Sequence, residues 1–233
     1  MSSIHPATQR VRLQKLLQTD RTVTTVQLGR WGLLDAATRL GLPQVTYSCR
    51  TRITQSDSTV DLTFVALDDA TLDRAPRDLM HDAGLAEARA HHALESGAQW
   101  RHVTLRGRAR LHLPDAEIIG PDTEHTRDWA VEFDAGYSRK VIQEKVRAMC
   151  AQGYTRLLWA SSIHDRTRSV QALVRALWLA GDAPDLEIVE TRFCDFWTAD
   201  RDPYRHRPRN NKASHQLVEL RPGLGNTTSS ISG

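Results

Sequence analysis

The segment 154–160 constrains this chain most. Its stretch Leu157-Leu158-Trp159-Ala160 is apolar without alternation, the pattern of a strand covered on both faces of a sheet. On either side lie segments of helical periodicity, residues 138–152 and 166–180, each stopped by a glycine, Gly153 and Gly181. Short β-like runs flank them at 100–105, 109–113, 117–119, 129–133 and 186–193. Strand, strand, helix, strand, helix, strand predicts an α/β sheet with helical crossovers over about residues 99–202.

The N-terminal third follows another rule. Val11, Leu13, Leu16 and Leu17 fall near helical spacing, so residues 8–18 read as an amphipathic helix. Thr24 or Thr25 can cap a second short helix reaching Trp31. A third, over 33–40, ends at Gly41, and Pro43 bars its continuation. What comes next has two readings. In one, residues 36–48 resemble a lac-repressor-type helix-turn-helix and Gln44 to Arg52 form the recognition helix. In the other, Val45, Tyr47, Cys49 and Ile53 alternate with polar residues, a turn follows at 55–58, and residues 59–67 return as the second strand of a hairpin. The hairpin is the favoured reading, and it makes residues 1–70 a winged-helix module. Residues 71–98 then read as an acidic helical connector, with a helix over 79–94 and Pro76 near its start.

Charge is distributed unevenly along these segments. Residues 1–56 carry a local excess of six positive charges, although the whole chain has a net charge of only +3. Such a module can bind duplex DNA through release of condensed counterions. Arg30, Arg39, Arg50 and Arg52 are the expected contacts. Residues 57–95 reverse the sign, with nine acids against three bases.

Several function classes are disfavoured. No run approaches the roughly 18 to 20 apolar residues of a bilayer-spanning helix, and residues 1–6 lack the apolar core of a signal peptide, so a cytoplasmic protein without membrane partners is expected. Cys49, Cys150 and Cys194 are widely spaced, with no Cys-x-x-Cys pair to hold zinc, and read as reduced thiols in the core. Without a Gly-x-x-x-x-Gly-Lys-Ser/Thr loop, ATP hydrolysis has no support. His81, His91 and His92 read as surface or core residues, since adjacent histidines on a helix point about 100° apart. No His-x-His supports a rolling-circle relaxase, although Tyr137, Tyr154 and Tyr204 stand as candidate nucleophiles.

The residues with most chemical content are Pro114-Asp115, Glu132-Phe133-Asp134-Ala135-Gly136, Lys140 and Lys145. A hairpin can bring Asp115 and Glu132 to one sheet edge, and Asp134 shares the face of Glu132 because side chains alternate along a strand. Three carboxylates there predict a site for Mg2+ or Mn2+, hard cations that take oxygen ligands and polarise a scissile phosphate. Lys145 or Lys140, on the following helix, would stabilise phosphate charge. This is the logic of PD-(D/E)XK nucleases. The bland reading makes Asp115 and Asp134 turn caps and Lys145 a surface residue.

Leu79-Met80-His81 with the helix to Arg89, Leu113-Pro114-Asp115, Val131 to Gly136 and Lys145 together resemble the replication-relaxation family of plasmid and mobile-element proteins, over about residues 79–195. The N-terminal winged helix fits the same family. The resemblance implies a PD-(D/E)XK-like domain and association with double-stranded DNA in replication, mobilisation or their control. One position departs. Asp134 stands where such a site has its lysine, so either a helical lysine replaces it or the site is degenerate. An active site predicts a metal-dependent endonuclease; a degenerate one predicts a non-enzymatic protein whose nuclease-like domain serves homodimerisation or DNA shape recognition. The basic, Gly/Ser/Thr-rich tail over 203–233 reads as disordered.

Overall fold

The computed structural model describes residues 5–51, 58–94, 96–103, 113–121, 129–163, 165–199, 204 and 215–220. They divide into two units, residues 1–91 with 195–205, and residues 92–194 with 206–233.

The first unit begins with α1 (Pro6–Asp20), whose proline sits where a helix has a backbone N–H to spare. Strand β1 (Thr22–Thr24) leads into α2 (Thr25–Arg30). Thr24 and Gln27 form a reciprocal capping box at its start, which satisfies two otherwise orphaned donors. Helix α3 (Leu34–Arg39) gives way at Gly41, whose φ of 57° suits a residue without Cβ. Strands β2 (Gln44–Thr51) and β3 (Ser58–Ala66) then pair antiparallel, and β1 joins the far side of β3. Leu13, Leu17, Val23, Leu28, Leu33 and Val65 close the core of the unit. Residues 44–51 are therefore a strand, which overturns the recognition-helix reading of Gln44 to Arg52. The side-chain period of two, with Cys49 buried between exposed Ser48 and Arg50, wins over the likeness to a helix-turn-helix. Arg52 and most of the expected turn lie outside the described residues.

A short helix α4 (Asp69–Leu72) precedes α5 (Pro76–His91). The sequence places this segment in an acidic connector, but α5 packs on α1 and β1 as a core helix. Leu79, Ala83, Leu85, Ala86 and Ala88 are buried, and the buried acids have cations of their own: Asp82 meets Arg74, and Glu87 meets Arg30. Local acid content says nothing about such pairing. Residues 195–199 and Tyr204 also belong here: the Thr24 hydroxyl donates to the Phe196 carbonyl at 2.7 Å, and Tyr204 donates to Glu87 at 2.6 Å.

The second unit is mixed α/β. Strands β4 (Gln99–His102), β5 (Ala116–Ile119) and β6 (Trp129–Asp134) form an antiparallel meander. Helix α6 (Arg139–Ala151) crosses to β7 (Arg156–Ser161), and α7 (Arg166–Leu179) crosses to β8 (Ile188–Phe193), so β6, β7 and β8 are parallel. Strand β9 (His215–Glu219) closes the far edge antiparallel to β8, giving a six-stranded sheet in the order β4-β5-β6-β7-β8-β9. Ile142, Val146 and Met149 of α6 and Val170, Val174 and Leu177 of α7 cover it, sharing one core with Leu157 and Trp159 of β7. The expected strand over 109–113 falls almost wholly outside the described residues. Residues 215–219, expected in a disordered tail, are a strand. Their own pattern is weak, and the hydrogen bonds that fix them come from β8.

Candidate functional site

Every residue of β6 is buried, so each polar side chain on it must find a partner inside the protein. Glu132 has no solvent exposure. Lys145, on the face of α6 that also carries the buried Ile142 and Val146, brings Nζ to 2.7 Å from Glu132 Oε1. The same ammonium lies 3.5 Å from the Leu113 carbonyl and 5.4 Å from the centre of the Tyr137 ring, within cation–π range. Lys145 and Tyr137 are the side chains that meet the Glu132 carboxyl group.

Asp115 enters from the start of β5. Its backbone N–H donates to the Val131 carbonyl at 2.9 Å, and its Oδ2 accepts from the Phe133 N–H at 2.8 Å, which holds the carboxylate across the β5–β6 hairpin. Burial and the charge of Asp115 push the Glu132 carboxyl well above the usual range, and the opposing pull of Lys145 does not cancel them. The Tyr137 hydroxyl is pushed up as well, by burial first and then by the charges of Glu132 and Asp115. Asp115, Glu132, Lys145 and Tyr137 thus form one electrostatically coupled cluster.

Asp134 belongs to another arrangement. Its Oδ1 accepts from the N–H groups of Gly136 and Tyr137, both at 2.6 Å, and its Oδ2 accepts from Arg166 Nε at 2.7 Å and Trp159 Nε1 at 3.3 Å. This carboxylate fixes the turn between β6 and α6 and ties it to the start of α7. Its lone pairs are committed, so the expected three-carboxylate set reduces to Asp115 and Glu132. Among the described residues no group of three or more His, Cys, Asp or Glu side chains is arranged to hold a metal ion. Lys140 is exposed and lies 3.8 Å from Glu144 on its own helix, away from the buried pair.

Sequence reasoning named Tyr137 only as a candidate nucleophile and missed Arg166. A signal for Arg166 existed: it opens α7, where the helix dipole disfavours a cation, so an arginine there implies a specific acidic partner. The same reasoning missed Glu190, a buried carboxylate of β8 contacted by His92 at 2.8 Å, Arg192 at 2.8 Å and His215 at 3.0 Å.

The expected DNA contacts of the first unit separate. Arg30 is buried, with Glu87 Oε2 at 3.0 Å and the Asp195 carbonyl at 2.5 Å, and it serves the core of the unit. Arg39 is exposed at the end of α3 and donates to Gln9 at 3.1 Å. Arg50 is exposed on β2. Around Arg39, the residues Leu34, Asp35 and Thr38 make one exposed face of α3, opposite the buried Ala36 and Ala37.

No protein-family model, no curated protein and no solved structure matches this chain.

Two carboxylates and a lysine at one strand end can in principle hold a divalent cation and a phosphate. Mg2+ is often bound by one or two carboxylates with water and phosphate oxygens completing its shell. Glu132 beside Asp115 is the pair that could hold such an ion, and Lys145 is the cation that could meet an anionic ligand.

Proposed function

We propose that this is a DNA-binding protein in which the first unit is a winged helix and the second a nuclease-like domain related to the PD-(D/E)XK fold. The resemblance read from its sequence suggests a role in replication, mobilisation or control of a plasmid or mobile element. The observation that carries the reading is the order α1-β1-α2-α3-β2-β3, in which a short turn joins α2 to α3, and α3 offers Leu34, Asp35, Thr38 and Arg39 to solvent ahead of a hairpin bearing Arg50. A helix of that kind enters the major groove, and cations on it and on the hairpin reach phosphates. A gel-shift titration of duplex DNA at low and moderate salt tests this. Affinity should fall steeply with salt and fall further in Arg39→Ala/Arg50→Ala; unchanged affinity in that variant sinks the proposal.

A second reading, metal-dependent cleavage of phosphodiester bonds, is favoured by the Asp115, Glu132 and Lys145 cluster. In it the two carboxylates hold Mg2+ or Mn2+, which when bound supplies a polarised phosphate and an activated water. Lys145 offsets phosphate charge, and Asp134 with Arg166 positions the turn that carries Tyr137. A DNA cleavage assay with and without chelator decides: Glu132→Gln should abolish cleavage while leaving the gel shift intact. Cleavage that survives both the chelator and Glu132→Gln rules this reading out.

A further inference from the structure

The outward face of α1 has no role in either reading. Along it runs an open groove of about 790 Å3, walled by α1, by Trp31 after α2 and by the C-terminal turn of α5. Its apolar side chains are Val11, which is 51% exposed, with Leu16 and Trp31, both half-buried. Its charged side chains are Arg12, Lys15 and Arg89, and among the described residues no carboxylate lines it. Arg89 is already neutralised by the buried Asp20, at 2.6 Å, so the net charge offered comes from Arg12 and Lys15, both exposed.

From this we infer that the groove is a docking site for an amphipathic helix of a partner protein, with apolar side chains on one face and carboxylates beside them. The argument is one of complementarity. The spacing of Val11 and Lys15, and of Arg12 and Leu16, is one helical turn, so apolar and cationic positions alternate along a surface that a second helix can follow with matching leucines and glutamates. A second copy of α1 is a poor occupant, because Arg12 and Lys15 would face their own kind. The phosphate backbone of DNA satisfies the cations but leaves Val11 and Leu16 facing a charged surface. An acidic amphipathic helix satisfies both sets.

The inference does not rest on the DNA-binding proposal, and its test uses no DNA in the primary measurement. The probe is a fluorescein-labelled synthetic peptide of about 15 residues, with leucines at helical spacing on one face and flanking glutamates. Fluorescence anisotropy is read against the full-length protein. A peptide of the same composition in scrambled order is the control. Saturable binding is expected, at least tenfold weaker for the scrambled peptide. Val11→Ser and Lys15→Gln should each weaken it, and the double variant should weaken it at least tenfold. Both substitutions are at exposed positions, and circular dichroism checks that the fold persists. Equal binding of the scrambled peptide, or none of the designed one, overturns the inference. So does a concentration-dependent dimer in sedimentation that Val11→Ser dissolves, which would assign the groove to a second copy. Loss of duplex affinity in Lys15→Gln with peptide binding intact would assign it to nucleic acid and overturn it too.

Discussion

Lys145 Nζ sits 2.7 Å from Oε1 of Glu132, joining helix α6 to the fully buried strand β6 through an ion pair. Breaking such a pair from one side leaves a buried charge without compensation, which costs about 3–5 kcal/mol. Lys145→Met should therefore lower the unfolding free energy by that order in a urea titration, and Glu132→Gln/Lys145→Met should recover part of the loss.

The same variant carries a pH signature. Burial and Asp115 already hold the Glu132 carboxyl above its ordinary range, and removing Lys145 raises it further. The unfolded chain releases this proton near pH 4.3, while the folded chain keeps it to higher pH, so the folded state binds more protons over that interval. Stability of Lys145→Met should be best at or below about pH 4.3 and should decline as pH rises toward the folded value. Denaturation midpoints at several pH values, compared with wild type, check this. A loss in the variant that does not depend on pH would contradict it.

Asp134 and Glu132 are two residues apart on β6 but answer to different helices. If the second reading holds, Asp134→Asn should weaken the turn and lower stability by about 1–3 kcal/mol, through loss of charged hydrogen bonds, without abolishing Mg2+ binding. Asp115→Asn and Glu132→Gln should abolish it. Isothermal titration of Mn2+ into the three variants separates these outcomes, and equal loss in all three would restore Asp134 as a ligand.

Burial alone would push the Glu190 carboxyl up, but hydrogen bonds from His215 and His92, with the charges of His92 and Arg192, outweigh it and hold the group well below the carboxylate range. A depressed folded value gives stability that is present above the unfolded value of about 4.3 and is lost as pH falls through the folded one. Glu190→Gln should thus cost about 1.5–3 kcal/mol at pH 7, and the difference from wild type should shrink in acid. Because His215 opens β9, hydrogen exchange should show that strand less protected in the variant.

Arg30 and Arg39, both basic residues of the N-terminal module, should behave oppositely. Arg30→Ala removes the guanidinium from the buried Glu87, which keeps its hydrogen bonds from Gln27 and Tyr204, and should cost about 1.5–3 kcal/mol of stability. Arg39→Ala should leave the melting temperature nearly unchanged and reduce the salt slope of DNA binding by about 0.9 if Arg39 neutralises one phosphate.

What the sequence determined by itself is local periodicity. The apolar stretch 157–160, the helices stopped by Gly153 and Gly181 and the alternation through Val45, Tyr47 and Cys49 each depend on contacts a few residues apart, so the α/β sheet could be read directly and the strand reading of 44–51 favoured over the recognition helix. Tertiary structure decided whatever needs a partner far along the chain. The acids of α5 are charged residues in any composition count, yet Arg30 and Tyr204 make Glu87 a buried anchor. The segment 215–219 carries too weak a pattern to announce a strand, and the edge of β8 makes it one. Asp134 shares a strand face with Glu132 by the rule of two, but Arg166 and the Gly136 and Tyr137 N–H groups claim its oxygens, a choice set by where α7 begins in space.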